Sequence, residues 1–177
     1  MYITNAETER LIIRRLYESD SDVWKKFFVD NPGLDFLGLD RDMNIEDQSK
    51  AWIEKQLSRY ANNLFGHQAL IEKESRQLIG QCGLLTQEID GKIEIEIGYH
   101  ILPKYWGMGY ATEAAIMFRN YAFDNEITDT LISVIDIRNS KSMNVADKLG
   151  MTREEQLKMD GIVVWIYRIN KKNWIYL

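Results

Sequence analysis

The stretch from Ile93 to Asn125, IEIEIGYHILPKYWGMGYATEAAIMFRNYAFDN, limits what this chain can become more than any other. It opens on an alternation, with Ile93, Ile95, Ile97, Tyr99 and Ile101 on one face and Glu94, Glu96, Gly98 and His100 on the other. A period of two marks a strand. Pro103 closes it, because proline cannot donate to a ladder. A turn bearing two glycines follows, Trp106-Gly107-Met108-Gly109-Tyr110-Ala111, and a helix is predicted to begin near Thr112. Ala111, Ala115, Phe118 and Ala122 fall at helical spacing, with Ala114, Met117 and Tyr121 widening the stripe. A helix leaves its first N–H groups unpaired and carries partial positive charge there. Glycine lets a ligand approach the backbone closely. Strand, glycine turn and helix together predict an anion site, read here as a pyrophosphate cradle.

Three glycine patterns compete for that cradle. A Walker loop places Lys-Ser/Thr after its last glycine; Gly109 is followed by Tyr110-Ala111, which argues against ATP or GTP in that mode. A dinucleotide fingerprint wants a third glycine where this chain has Thr112. Asp136, at the end of the next apolar strand, and Arg138 beyond it keep that reading open as ribose and 2′-phosphate partners. Against it, the chain is 177 residues long and leaves too little after Asp136 for a second βαβαβ half. The third pattern, Arg/Gln-x-x-Gly-x-Gly/Ala, is met at Gly109 and Ala111, with Trp106 at the Arg/Gln position.

Residues 105 to 114, Tyr-Trp-Gly-Met-Gly-Tyr-Ala-Thr-Glu-Ala, resemble the coenzyme A loop of the GCN5-related N-acetyltransferase (GNAT) family. The string is closest to the RimJ/RimL-like branch that acetylates ribosomal-protein N-termini, in which a tryptophan at the first loop position is expected. Glu7-Thr8-Glu9-Arg10-Leu11, Glu96-Ile97-Gly98-Tyr99, Asn139-Ser140-Lys141-Ser142 and Lys148-Leu149-Gly150-Met151 extend the resemblance over nearly the whole chain. It implies an α+β GNAT fold over residues 1–177, one mixed, mostly antiparallel sheet of about seven strands with about four helices on both faces. It also implies acetyl-CoA as cofactor. Its cofactor-binding residues would be Tyr99, His100, Ile101, Trp106, Gly107, Met108, Gly109, Tyr110, Ala111, Thr112, Asn139 and Ser142. Many relatives carry a tyrosine as general acid on the last helix, where this chain has Ala146. Ser142, a water or the amine itself would then serve the leaving thiolate.

The rest of the chain reads in order. Residues 8–16 form a first strand. Ser19-Asp20-Ser21-Asp22 is a cap cluster before a helix carrying Val23, Trp24, Phe27 and Phe28, stopped at Asn31-Pro32-Gly33. Residues 34–45 are irregular, and a second helix spans about 46–61, stopped by Asn62-Asn63. In the resembling family this helical pair walls the acceptor site, so Trp24, Phe28 and Trp52 line that wall or pack as core. Residues 66–72 and 77–87 read as an antiparallel pair, with a hairpin signal at Asp90-Gly91. Residues 130–136, TLISVID, read as a buried parallel strand. A helix over 140–149 is stopped by Gly150. Strands 154–159 and 162–169 meet at Asp160-Gly161, a second hairpin signal.

Composition removes other classes of function. Lys and Arg number 22 against 27 Asp and Glu, a net charge of −5. That disfavours a nucleic-acid binder and suits a cationic acceptor. Cys82 is the single cysteine, so no intrachain disulfide forms. It sits in a strand segment without His-Asp partners, and the two histidines are far apart, so neither a cysteine nucleophile nor a metal site is expected. No apolar run reaches membrane-spanning length, and the first residues carry no basic-then-apolar leader; the cytoplasm is the expected compartment. A monomer and a homodimer are both open.

Moving an acetyl group from a thioester to an amine needs a neutral amine, donors for the carbonyl oxygen, protonation of the thiolate and a fixed approach. Glu96 and Glu94 share the strand face beside Gly98, and Glu96, adjoining Ile-Gly-Tyr, is the expected base. Charges opposite isoleucines also describe a solvated strand face. His100 shares that face, as a proton relay or a packed ring. A protein N-terminal amine is the first acceptor expected and a small amine such as a polyamine or aminoglycoside the second. A non-catalytic acyl-CoA-binding module is the alternative outside enzymes.

Overall fold

The computed structural model describes residues 2–3, 6–39, 42–159 and 161–174. Among these residues eight strands form one sheet in the order β1-β2-β3-β4-β5-β6-β8-β7. They are β1 (Ala6–Glu7), β2 (Leu11–Arg14), β3 (His67–Glu72), β4 (Leu78–Ile89), β5 (Lys92–Ile101), β6 (Thr130–Asp136), β7 (Thr152–Met159) and β8 (Ile162–Asn170). Four α-helices accompany them: α1 (Asp20–Trp24), α2 (Ile45–Ala61), α3 (Tyr110–Asp124) and α4 (Ser140–Lys148). Every pairing is antiparallel except that of β5 with β6.

The sheet has one strand more than the sequence suggests, because the first strand is two. The Thr8 hydroxyl accepts the Leu11 N–H at 3.0 Å, and the Thr8 N–H donates to the Leu11 carbonyl at 2.8 Å, which folds β1 back on β2. The first helix is also shorter than its apolar spacing implies. After one turn it tightens into a 3₁₀ segment, Lys25–Phe28. Ser19 stands at the N-cap without a side-chain bond. Asp20 instead accepts the Tyr17 N–H at 2.8 Å and holds the Arg14 guanidinium at 2.7 Å.

Helices cover both faces. On one, α2 lays Trp52 over the sheet, its indole N–H donating to Gln81 Oε1 at 3.1 Å. On the other, α3 packs on β4 and β5, and α4 receives the Tyr99 hydroxyl on its Ser142 carbonyl at 2.9 Å. Trp24, Ile53, Ile97, Phe118 and Phe123 are fully buried between these layers. Burial on this scale, about 25 cal/mol per Å² of apolar surface, is what holds the helices to the sheet.

The punctuation acts as its chemistry requires. Asp90 and Gly91 have φ of 48° and 75°, the left-handed pair of a tight hairpin. Asn44 caps α2 through the Asp47 N–H, and Gly150 at φ 78° follows the C-cap of α4. Helix α3 begins at Tyr110, two residues before Thr112, because Gly109 at φ 85° takes the N-cap. At the second hairpin signal, Asp160 lies outside the described residues.

Candidate active site

The site forms where β5 and β6 part. Their parallel pairing places Glu96 opposite Ile132. Among the described residues no pairing between the two strands continues toward Tyr99 and Ile101. Two side chains end the ladder. The Ser133 hydroxyl on β6 donates to the Ile97 carbonyl on β5 at 2.9 Å, and the Val134 N–H on β6 donates to Glu96 Oε1 at 3.3 Å. Each strand thus offers a side chain where its neighbour's backbone would have been. Beyond this clasp β5 has an open edge. The Leu102 N–H points to β4, bonding the Ile79 carbonyl at 2.9 Å, so alternation turns the N–H groups of Tyr99 and Ile101 toward the gap.

Glu96 sits at the apex of the gap and is 8% exposed. Gln87 Nε2 donates to its Oε2 at 2.6 Å. Burial pushes its carboxyl pKa up, against the lowering from Gln87 and the Val134 N–H. A carboxylate reluctant to ionise is an avid proton acceptor once charged. Its face is not solvated: Trp52 of α2 and Phe27 of the 3₁₀ segment pack on His100 of the same face. Glu94 is tied down separately, its Oε2 2.9 Å from Arg168 Nη1, while Arg168 Nε holds Glu154 at 2.7 Å.

His100 lies on the same face inside an aromatic cluster. Its ring meets Trp52 edge-on at 4.8 Å, His67 at 4.9 Å and Phe27 at 5.6 Å between centroids. Burial lowers its pKa to about 4, so it is neutral at physiological pH. His67, on β3, is 5% exposed and is likewise held neutral by burial. A Cβ on Gly98 would lie 2.6 Å from His67 Nε2, so only glycine lets that ring fold over β5.

The glycine turn closes the gap's open end. Gly107 and Gly109 have φ of 78° and 85°, and a Cβ on Gly107 would meet nothing within 4 Å. Gly109 caps α3 without a side-chain bond, which leaves the N–H groups of Tyr110, Ala111 and Thr112 with no partner inside the helix. Met108, 54% exposed, points outward. The Trp106 indole N–H donates to the Ile101 carbonyl at 2.7 Å, and Lys141 Nζ lies 4.2 Å from the indole ring centroid. Free amides, positive helix dipole and bare glycines suit a diphosphate, so the residues present fit a coenzyme A moiety.

Sequence reasoning missed what braces this turn. Arg10 donates to the Met108 carbonyl at 2.9 Å and to Glu113 Oε2 at 2.7 Å, and its guanidinium covers the Tyr110 ring at 4.4 Å. Glu113 also accepts the Thr8 hydroxyl and the Arg10 N–H at 2.9 Å. Burial works to raise the Glu113 pKa, but these donors outweigh it and hold the carboxyl below its usual range. With its charge so neutralised, this first-turn glutamate does not repel an anion from the turn. The signal was present in Thr8-Glu9-Arg10, without anything local to reveal its partner.

On the α4 side, Asn139 is the N-cap, accepting the Ser142 N–H at 3.1 Å. Ser142 therefore stands in the first turn of α4, and its carbonyl holds Tyr99. Burial raises the Tyr99 pKa, so this phenol stays protonated. Ala146 is fully buried one turn on. Cys82 is buried, and burial raises its thiol pKa. Among the described residues no group of three or more His, Cys, Asp or Glu could hold a metal ion, and no helix is long and apolar enough to cross a membrane.

The chain belongs to the GNAT acetyltransferase family: the family described as "Acetyltransferase (GNAT) domain" matches residues 10–152. The N-acetyltransferase p20 of Bacillus licheniformis, itself uncharacterised, is 27% identical over 94% of this chain and 96% of its own length. A crystal structure of an acetyltransferase from Agrobacterium tumefaciens superposes with a TM-score of 0.77 at 26% identity, covering 96% of both chains. RimL, a ribosomal L7/L12 alpha-N-protein acetyltransferase solved with coenzyme A, shares the fold at a TM-score of 0.75 and 14% identity, over 94% of this chain and 97% of that one. The chain is thus an acyltransferase whose structural neighbours include the RimL type.

Proposed function

We propose that the chain moves an acetyl group from acetyl-CoA to a primary amine, with a protein N-terminal α-amine as the first acceptor to consider. The observation that carries this reading is Glu96, a buried carboxylate with a raised pKa at the apex of the gap, beside the open edge of β5. Acetyl-CoA supplies an activated acetyl thioester when bound. The N–H groups of Gly109 to Thr112 would hold the diphosphate, and those of Tyr99 and Ile101 would hold the pantetheine arm and the acetyl carbonyl oxygen. His100, at the covered face of that stretch, keeps the strand in place as a neutral ring. Glu96 takes the proton the amine loses as its nitrogen bonds to the carbonyl carbon. As the carbon–sulfur bond broke, the departing sulfur would take a proton from solvent, relayed through a water or through the Ser142 hydroxyl, which regains its own, with Asn139 fixing the turn that presents Ser142.

The acceptor's chemistry supports this order. An α-amine has a pKa near ~8 and is partly neutral at physiological pH, whereas a lysine amine near ~10.4 needs far more help. RimL acts on an α-amine with the same fold. A small amine such as a polyamine is the second reading, favoured by the acidic net charge of −5.

The test is transfer itself. Purified protein with acetyl-CoA is offered peptides with free and blocked N-termini, a polyamine and an aminoglycoside, and coenzyme A release is followed. Acetylation confined to free N-termini supports the first reading. Transfer to polyamines alone overturns the acceptor. In parallel, acetyl-CoA at 100 times its Kd should stabilise the fold by about 2.7 kcal/mol, and NAD or NADP should not.

A further inference from the structure

Arg138 drew attention in the sequence as a possible partner for a 2′-phosphate, yet the structure gives it different work. It lies two residues beyond the end of β6 at Asp136, on the far wall of the gap from Trp106. Its Nε and Nη2 fork onto the Asp136 carboxylate at 2.9 and 2.6 Å. Asp136 is buried, so the guanidinium is fixed at its base. The same Nη2 reaches across to donate to the Asp35 carbonyl at 3.0 Å, and the guanidinium lies 5.5 Å from the Phe36 ring centroid. Asp35 and Phe36 belong to a short 3₁₀ segment, Pro32–Phe36, between α1 and α2.

The other side of that segment rests on the opposite wall. A Cβ on Gly33 would lie 3.2 Å from Trp106 Cη2. Trp106 is itself pinned to the last carbonyl of β5 and covered by Lys141. Asn31 stiffens the entry, accepting the Gly33 N–H and donating to the Phe27 carbonyl, both at 2.8 Å. The segment therefore bridges the C-terminal ends of β5 and β6, over the wide end of the gap. One footing is an indole in the coenzyme loop; the other is an arginine beyond β6.

The geometry points to Arg138 as a specificity-determining residue: by latching Pro32–Phe36 across the gap it narrows the path by which an amine reaches Glu96. This inference rests on the acetyl-transfer reading above. Two aromatic rings, Trp106 and Phe36, frame the narrowed end, so bulk at the carbon bearing the amine is what the latch excludes. A pocket edge of this kind discriminates by about 10- to 200-fold per group of methylene size. Coenzyme A binding depends on the amides of Gly109 to Thr112 and stays independent of the latch.

Two variants release the segment from opposite ends. Arg138→Met removes the latch, and Gly33→Ala adds a methyl that would lie 2.9 Å from Asn31 Oδ1 and 3.2 Å from Trp106 Cη2, crowding the other footing. Arg138→Lys keeps charge but loses the fork. Hydrogen exchange at the Leu34 and Leu37 amides, bonded to Asn31 and Leu34 carbonyls at 3.2 Å, reports whether the segment is held. kcat/KM is measured over primary amines graded in bulk at that carbon, peptide N-termini included, beside the Kd for acetyl-CoA. Expected are at least about tenfold faster exchange and a loss of about tenfold in selectivity for slender amines. Both should occur in Arg138→Met and Gly33→Ala, with partial rescue in Arg138→Lys and acetyl-CoA Kd within about twofold of the parent. Unchanged exchange in Arg138→Met overturns the latch. Faster exchange with unchanged selectivity overturns its role in choosing acceptors. A parent protein that acetylates no amine in the series overturns the acetyl-transfer reading and acceptor selection with it, while the exchange rates still decide the latch.

Discussion

Replacing Glu96 by glutamine should move activity and stability in opposite directions. The isostere keeps the carbonyl oxygen that accepts the Val134 N–H, and Gln87 needs only an amide flip to bond the new side-chain amide. What disappears is the charge. A hydrogen bond to a charged acceptor contributes about 1 kcal/mol more than a neutral one, so the two bonds together lose about 2 kcal/mol. Taking a carboxylate out of water opposes folding by several kcal/mol even after relaxation. The largest influence on Glu96 is that burial, which lifts its pKa, so removing the charge wins. The sign follows from linkage. A group whose folded pKa is raised stabilises the fold below its unfolded pKa, and that contribution is lost as pH rises through the folded pKa. At pH 8, above the unfolded pKa, the raised pKa weighs against the parent and not against Glu96→Gln; at pH 4 that difference is absent. A net gain of about 1–2 kcal/mol raises Tm by about 2–8 °C for a chain of this size. Activity should fall about 10²–10⁴-fold at pH 7, the usual worth of a positioned base, and recover as the amine ionises less at high pH. Thermal melts at pH 4 and 8, with kcat/KM profiles of parent and variant, check both arms. A kcat/KM profile that Glu96→Gln leaves unchanged in both height and shape removes the base role. A variant less stable than the parent at pH 8 shows that its hydrogen bonds outweigh its burial.

Further substitutions separate the other elements. Glu94→Gln should leave the acid limb of the pH–rate profile in place and cost about 2 kcal/mol in denaturant unfolding, because it weakens a half-buried pair with Arg168. Gly109→Val should abolish the thermal shift by acetyl-CoA, since it places branches among the free amides; Gly161→Ala, at a similar φ of 84° but in a distant hairpin, should lose stability and keep the shift. Glu113→Gln should weaken acetyl-CoA binding and lower stability by about 1–3 kcal/mol in chemical unfolding, as it breaks the brace from Thr8 and Arg10. The Glu113 pKa is depressed, so its contribution is present above the unfolded pKa and fades as pH falls through the folded one; the deficit of Glu113→Gln should shrink in acid.

Local signals carried the coenzyme turn, because its chemistry is written in neighbouring residues. Gly107 and Gly109 need no distant partner to demand positive φ, and the helix after them follows from its apolar stripe. Asn139 capping the Ser142 N–H is legible for the same reason, three residues apart. What alternation could not show is which face of β5 is covered. Opposite isoleucines, Glu94 and Glu96 look solvated, yet Ile93 on the apolar face is 67% exposed while Glu96 is 8% exposed. Ile97 on the apolar face is 1% exposed, so both faces are covered, and the burial of the Glu face comes from partners elsewhere in the chain: Val134 and Gln87 for Glu96, Arg168 for Glu94. No pattern of period two contains that information.

The same limit explains the split between β5 and β6. A strand pair in register has every inward N–H and C=O satisfied by its neighbour, and no opening for a ligand. Here Ser133 and Glu96 replace backbone partners with side chains at one point, and the ladder stops. The residue that ends the pairing is also the one proposed to take the amine's proton. Shape and acid–base chemistry therefore meet in a single carboxylate: the bond that places Glu96 against β6 also fixes it at the apex of the gap. A base held on a loop would not share this coupling. On this geometry, a shift in the strand register near Ile97 moves Glu96 and the open amides of Tyr99 and Ile101 together, so they keep their mutual spacing as the sheet flexes.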